Sequence, residues 1–198
     1  MEKKFELTDK FVFNTFGIKL FQIKCTKSFK YAKEGDLGGY VEKDENLDQE
    51  SDAWVYGNAQ VYGDAWVYGD ARVYGDAQVY GDARVYGDAQ VYGDAQVYGD
   101  AQVYGDARVY GDARVYGDAD IENDNNHCGF DCFGSCNRHT HAYLTKDNKV
   151  EITCGCFRGS IEEFEKKVEK THSGKIYEKQ YKAIINVIKI KFGLTDLI

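Results

Sequence analysis

Proline is absent from all 198 residues, so reversals of the chain rest on glycine, asparagine and aspartate, the other residues that favour turns. Long apolar runs are also missing, and none approaches the ~20 residues needed to span a membrane. The opening stretch MEKKFELTDKFVF carries charges where a secretory leader needs an apolar core. A cytoplasmic location is therefore expected. Basic excess is lacking too. The net charge is −8, which argues against non-specific binding to nucleic acid or to an anionic membrane, because both rest on positive surfaces. Without an export signal, the six cysteines read as thiols or metal ligands rather than disulfides.

What is abundant is one hexapeptide. From Ala53 to Asp118 the unit Ala-x-Val-Tyr-Gly-Asp recurs eleven times without a gap, with Asn58 once in place of Asp. A twelfth unit, Ala119 to Asp124, replaces Val-Tyr with Ile121-Glu122. A period of six is not that of an amphipathic helix, and a Gly-Asp pair in every unit would break one. In an extended segment Ala and Val share one side while x and Tyr share the other, and Gly-Asp supplies the turn. Three short strands per coil would bring three Val and three Ala into a narrow prism, where three tyrosines would not fit. The repeat therefore predicts a solenoid with tyrosine outside.

An aliphatic inward residue with a small one two places before it resembles the hexapeptide-repeat proteins, which fold as left-handed parallel β-helices. The resemblance implies a triangular coil of three hexapeptides, so residues 53–124 would make four coils rising about 19 Å at ~4.8 Å each. Residues eighteen apart would then stack. One face carries Trp54, Arg72, Gln90 and Arg108, and the second Gln60, Gln78, Gln96 and Arg114. The third carries Trp66, Arg84, Gln102 and Asp120, each x residue except Asp120 having its tyrosine two positions on. The tyrosines are expected to stack as cross-strand pairs, each contributing about 0.2–1 kcal/mol. They are also expected to form, with the two tryptophans, an amphipathic contact surface. Because both tryptophans lie in the first three units, Trp54, Tyr56, Tyr62, Trp66, Tyr68, Arg72 and Tyr74 are the candidate binding residues. The corner aspartates are expected to accept turn N–H groups as in Asx-turns, since single carboxylates offer too few oxygens for calcium.

Both flanks read as caps over open strand edges. In residues 1–52, KFVFNTFGIKLFQIKC predicts a hairpin turning at Asn14 to Gly17. The following GDLGGYVEKDENLDQESDAWV resembles the segment that precedes the repeats in hexapeptide-repeat proteins of phages and prophages. In residues 125–198, NDNNHCGFDCFGSCNRHTH reads as an exit loop and AYLTKDNKVEITCGCF as a hairpin turning at Lys146 to Lys149. Ser160-Ile-Glu-Glu163 has capping-box spacing. Ile161, Phe164 and Val168 form one face of a helix ending near Gly174, and Tyr181, Ile184, Ile185, Ile188 and Phe192 one face of a second helix over 177–192. The TCGCFRGSIEEFE run also resembles the C-terminal segment of the phage-type proteins. The expected fold is thus mainly β: a left-handed β-solenoid over 53–124 between an N-terminal β cap and a C-terminal α+β cap.

Chemistry has few carriers. Cys128, Cys132, Cys136, His139 and His141 suggest zinc, but their spacing matches no standard knuckle. Packing is the preferred role for the cysteines, Cys156 among them through the GCF motif shared with the phage-type proteins, and no cofactor is expected. Many hexapeptide-repeat proteins are acyltransferases and some are zinc carbonic anhydrases, using histidines on or beside the coils. This chain has no histidine before His127, so enzyme activity is the weaker class. The expected function is a non-enzymatic scaffold that binds through its outward ladders and self-associates as a dimer or trimer. The alternatives are a phage inhibitor of bacterial immune signalling, sequestering a nucleotide or blocking a host effector protein, and lastly a hexapeptide-class acyltransferase.

Overall fold

The computed structural model describes residues 3–194. After three N-terminal strands, β1 (Phe5–Phe13), β2 (Lys19–Cys25) and β3 (Leu37–Val41), each hexapeptide contributes one two-residue strand, from β4 (Trp54–Val55) to β15 (Asp120–Ile121). Every third strand pairs in parallel, with Gln78 opposite Gln96 and Val79 opposite Val97, so the stacking interval is eighteen residues. Backbone ladders hold the coils together: Gln78 N–H donates to Ala95 O at 2.9 Å and Tyr80 N–H to Val97 O at 3.0 Å. The repeat valines are fully buried and the alanines nearly so. The prism interior is therefore two small side chains deep on each face, as their volumes demand.

The turn needs glycine for two reasons, seen at Gly81. Its φ of +72° is left-handed, and a Cβ there would stand 2.9 Å from the backbone nitrogen of Gly99 one coil away. Main-chain ladders also run through the aspartates at the turns. Their backbone N–H groups bond across coils, as Asp70 N to Gly87 O at 2.8 Å and Asp76 N to Gly93 O at 2.9 Å. The Asp64 and Asp70 carboxylates pair outward with Lys43 and Lys30, at 2.8 and 2.6 Å.

The solenoid has about five turns rather than four, because it begins before the regular repeat. Strand β3 adds to one face in parallel, with Val41 opposite Val61, and Leu47 bridges Val67 on another. Val41 and Leu47 are buried like the repeat valines. The pair Gly38-Gly39 permits this join. A Cβ on Gly38 would come 2.7 Å from Val55 O, and one on Gly39 2.7 Å from Ala59 O. Asn46, fully buried, closes the corner by donating from Nδ2 to Gly63 O and Ala65 O at 3.0 and 2.9 Å. The hairpin β1–β2 turns at Asn14, whose Oδ1 accepts from Phe16 N and Ile18 N at 2.9 Å. It continues the β3 sheet, giving the strand order β1-β2-β3-β5-β8-β11-β14. Residues up to Asn123 form one compact unit.

The second unit starts at Asp124. Four antiparallel strands, β16 (His127–Phe133), β17 (Arg138–Leu144), β18 (Val150–Cys154) and β19 (Phe157–Ser160), lie in sequential order. The segment expected as an exit loop is thus largely a hairpin. Helix α1 (Ile161–His172) opens on a complete capping box: Ser160 Oγ accepts from Glu163 N, and the Glu163 carboxylate accepts from Ser160 N. Helix α2 (Ile176–Lys191) follows. Ile161, Phe164, Val168, Tyr181, Ile184, Ile185 and Ile188 pack on Ala142, Ile152 and Cys154 of the sheet, with Phe192 alongside. Among the described residues no helix is long and apolar enough to cross a membrane.

Candidate functional site

The outward surface of the solenoid is ordered by its register. On the second face, Tyr62, Tyr80, Tyr98 and Tyr116 stack with ring centroids 4.7–4.9 Å apart. On the third, Tyr68, Tyr86 and Tyr104 stack at 4.7 and 5.0 Å. The first face stacks from Tyr74 to Tyr110 at 4.8 and 5.4 Å. Its lowest pair, Tyr56 and Tyr74, is edge-on at 6.5 Å, with the Tyr56 hydroxyl donating to Tyr31 O at 3.3 Å. Hydroxyls also tie coils together by donating to a glutamine carbonyl of the next coil: Tyr62 to Gln78, Tyr74 to Gln90 and Tyr86 to Gln102, at 3.1–3.3 Å. Burial pushes the phenols of Tyr62, Tyr68, Tyr80, Tyr86 and Tyr104 up, Tyr80 to about 12.

The seven candidate contact residues separate into two groups. Trp54 is corrected outright: it is 1% exposed, held edge-on between Phe5 at 6.3 Å and Phe29 at 5.4 Å. Tyr62 is buried as well. Arg72 lies over the Tyr31 ring at 5.1 Å, so the segment around Phe29–Tyr31 covers the start of the first face. Trp66 does present its ring, 40% exposed and stacked at 4.0 Å on Tyr68. Tyr68 and Tyr74 are half-buried. Accessible aromatic side chains thus include Trp66 on the third face, above which Arg84, Tyr86, Gln102 and Tyr104 continue, and Tyr110, 52% exposed, at the other end of the first face. Phe11, Phe13 and Phe16 of the N-terminal hairpin are exposed in addition. Covering depends on residues distant in sequence, and composition of the repeat carries no sign of it.

In the second unit, strand alternation divides the proposed metal ligands. Cys128 sits opposite Ala142 and packs against the helix-covered core, where burial pushes its thiol up to about 11. His127 and Gly129 belong to the other face, with His141 and Tyr143 as cross-strand partners. There His127 Nδ1 and His141 Nε2 are 2.9 Å apart, and His139 Nδ1 meets Asp131 Oδ1 at 2.5 Å. Cys132 and Cys136 are exposed. The five candidate ligands are therefore not one cluster, and among the described residues no group of three or more His, Cys, Asp and Glu side chains is arranged to hold a metal ion. His127 was missed in the sequence; the alternation in HTHAY, mirrored by HCGFD, is the signal for a row of polar residues on one strand face. Packing holds for one cysteine of the TCGCF run and is corrected for Cys156. Cys154 is the buried one, receiving the Thr140 hydroxyl at 3.3 Å, while Cys156 is exposed after Gly155, whose φ is +60°.

Residues 53–69, 77–93, 89–105 and 101–117 match the family model described as YdcK beta solenoid repeat. These matches all lie in the solenoid and together span less than half of the chain. No curated protein matches it. The match carries the repeat architecture and no activity: the chain is a β-solenoid repeat protein, similar in these residues to the YdcK repeats.

Proposed function

We propose that this protein is a non-enzymatic scaffold that binds through the third face of its solenoid, with another copy of the chain as the first partner. The observation that carries this is Trp66, an exposed ring stacked on Tyr68 at the foot of a continuous tyrosine column. Burial of such amphipathic rings at low side-chain entropy is what contact surfaces use. The other tryptophan is enclosed, so Trp66 is the one positioned to respond to a partner. Light scattering at tens of micromolar is expected to give a dimer or trimer mass, and Trp66→Ala with Tyr68→Ala to shift it toward the monomer. Because Trp54 is enclosed, acrylamide quenching of tryptophan fluorescence should report mainly Trp66 and should weaken on association. A strict monomer whose Trp66 is quenched equally at every concentration would remove self-association. The phage-type likeness of GDLGGYVE extends the reading to a host protein, and a pull-down from bacterial lysate that loses its captured protein on Trp66→Ala supports that extension.

A further inference from the structure

The second unit contains a concave site on the helix side of its sheet, with a volume of about 240 Å³. Its lining is at odds with the composition of the chain. The protein has 33 acidic against 25 basic residues, yet the cavity is lined by Arg138, Lys167 and His172 and by no aspartate or glutamate. Some other basic side chains of this unit have carboxylate partners: Arg158 with Glu151, Lys182 with Glu178 at 2.8 Å, and Lys189 with Glu165 at 2.7 Å. Among the described residues, no carboxylate is within ion-pair distance of Arg138 or Lys167. The floor is apolar and aromatic. Phe157 and Phe164 meet at 5.0 Å, and His172 stacks on Tyr181 at 5.5 Å.

Cations gathered in a concavity with low-dielectric walls reinforce one another's field and attract a counter-charge. An aromatic floor beneath them favours a flat apolar body over a bare hydrated ion. The volume is below the ~300 Å³ where drug-sized sites begin, which restricts the ligand to a small one. We propose that this cavity is a binding site for a small organic anion, with the oxyanion head held by Arg138 and Lys167 and the apolar body on Phe157 and Tyr181. The site is separate from the tyrosine ladder, so it stands or falls independently of the scaffold reading.

Two exposed thiols, Cys136 and Cys156, line the same cavity and serve as reporters. The full-length chain is treated with iodoacetamide, and alkylation of each cysteine is followed by mass spectrometry with and without phenyl phosphate. Phenyl phosphate is expected to slow alkylation of Cys156 and Cys136 while leaving exposed Cys132, outside the cavity, unchanged. Benzyl alcohol at the same concentration should give no protection, and inorganic phosphate less than phenyl phosphate. Arg138→Glu and Lys167→Glu should each weaken the protection about fivefold or more, the equivalent of about 1 kcal/mol for an exposed charge contact. Lys170→Glu, on the same helix but outside the lining, should preserve it. Unchanged rates with phenyl phosphate in the wild-type protein, equal protection by benzyl alcohol, or protection that survives both charge reversals each overturn the proposal.

Discussion

At the residue scale, the repeat is dictated by its smallest members. Gly81 and Gly111 share a left-handed φ, +72° and +64°, but a Cβ on Gly81 meets backbone at 2.9 Å whereas one on Gly111 meets nothing within 4 Å. Gly111→Ala is therefore expected to cost about 1–2 kcal/mol from backbone conformation alone. Gly81→Ala adds a backbone clash and should cost more, about 3 kcal/mol; urea denaturation compares them. The tyrosines make a prediction in pH. Tyr56, Tyr62, Tyr68, Tyr80, Tyr86 and Tyr104 are all raised above the ordinary 10.0, chiefly by burial. The unfolded chain thus loses these protons first. Their stabilisation is fully present below pH 10 and is lost as the pH climbs through the folded values, about 12 for Tyr80. Lys4 acts oppositely: burial lowers it from 10.5 to about 8, with its Nζ bonded to Ser51 O and Ala53 O. Between those two values the unfolded chain holds more protons, so its contribution becomes more favourable as the pH rises. Tyrosinate absorbance is expected to develop at higher pH in the native protein than in urea, and coincident titration curves would contradict the buried stacks.

At the element scale, legibility followed locality. The hairpin at Asn14, the capping box at Ser160 and the buried faces of both helices were readable because each rests on residues within one or two turns of the chain. Ser160→Ala is expected to cost about 1 kcal/mol, measured by urea denaturation, since it removes the oxygen that accepts from Glu163 N. Strand β16 was not readable, because Asn, Cys and His obscure the alternation that its pairing with β17 completes. That pairing also sends Cys128 to the strand face opposite His139 and His141, so the candidate ligands do not converge. Added zinc or EDTA is accordingly expected to leave the melting temperature unchanged. A rise with zinc that EDTA reverses would mean the hairpin rearranges to ligate it.

At the scale of the whole molecule, a solenoid is stabilised by contacts between neighbouring coils, so its stability is close to additive in coils. Deleting residues 71–88 removes one complete stacking interval and should leave a protein that melts cooperatively at a lower temperature. Deleting residues 71–79 displaces the inward positions by half a hexapeptide and should abolish cooperative melting, because alternation then turns the wrong side chains toward the core. Circular dichroism distinguishes the two. Equal behaviour of both deletions would mean that register does not govern this fold.

The eighteen-residue stacking interval entered with the resemblance to hexapeptide-repeat proteins; by itself the sequence determined the period, the inward Val and Ala and the outward Tyr. These follow from volume, alternation and the turn preference of glycine, which act over a few residues and then repeat. Only the tertiary structure decided where the solenoid starts, since Val41 and Leu47 join it without the hexapeptide pattern and are recognised by what they pair with. It alone decided that Trp54 is core and Trp66 is surface: two identical Trp-Val-Tyr units differ because Phe5 and Phe29, remote in sequence, close over one of them. The cationic cavity has the same origin. Arg138, Lys167 and Tyr181 come from a strand and two helices, and their shared chemistry exists only once packing of the helices on the sheet brings them to one surface.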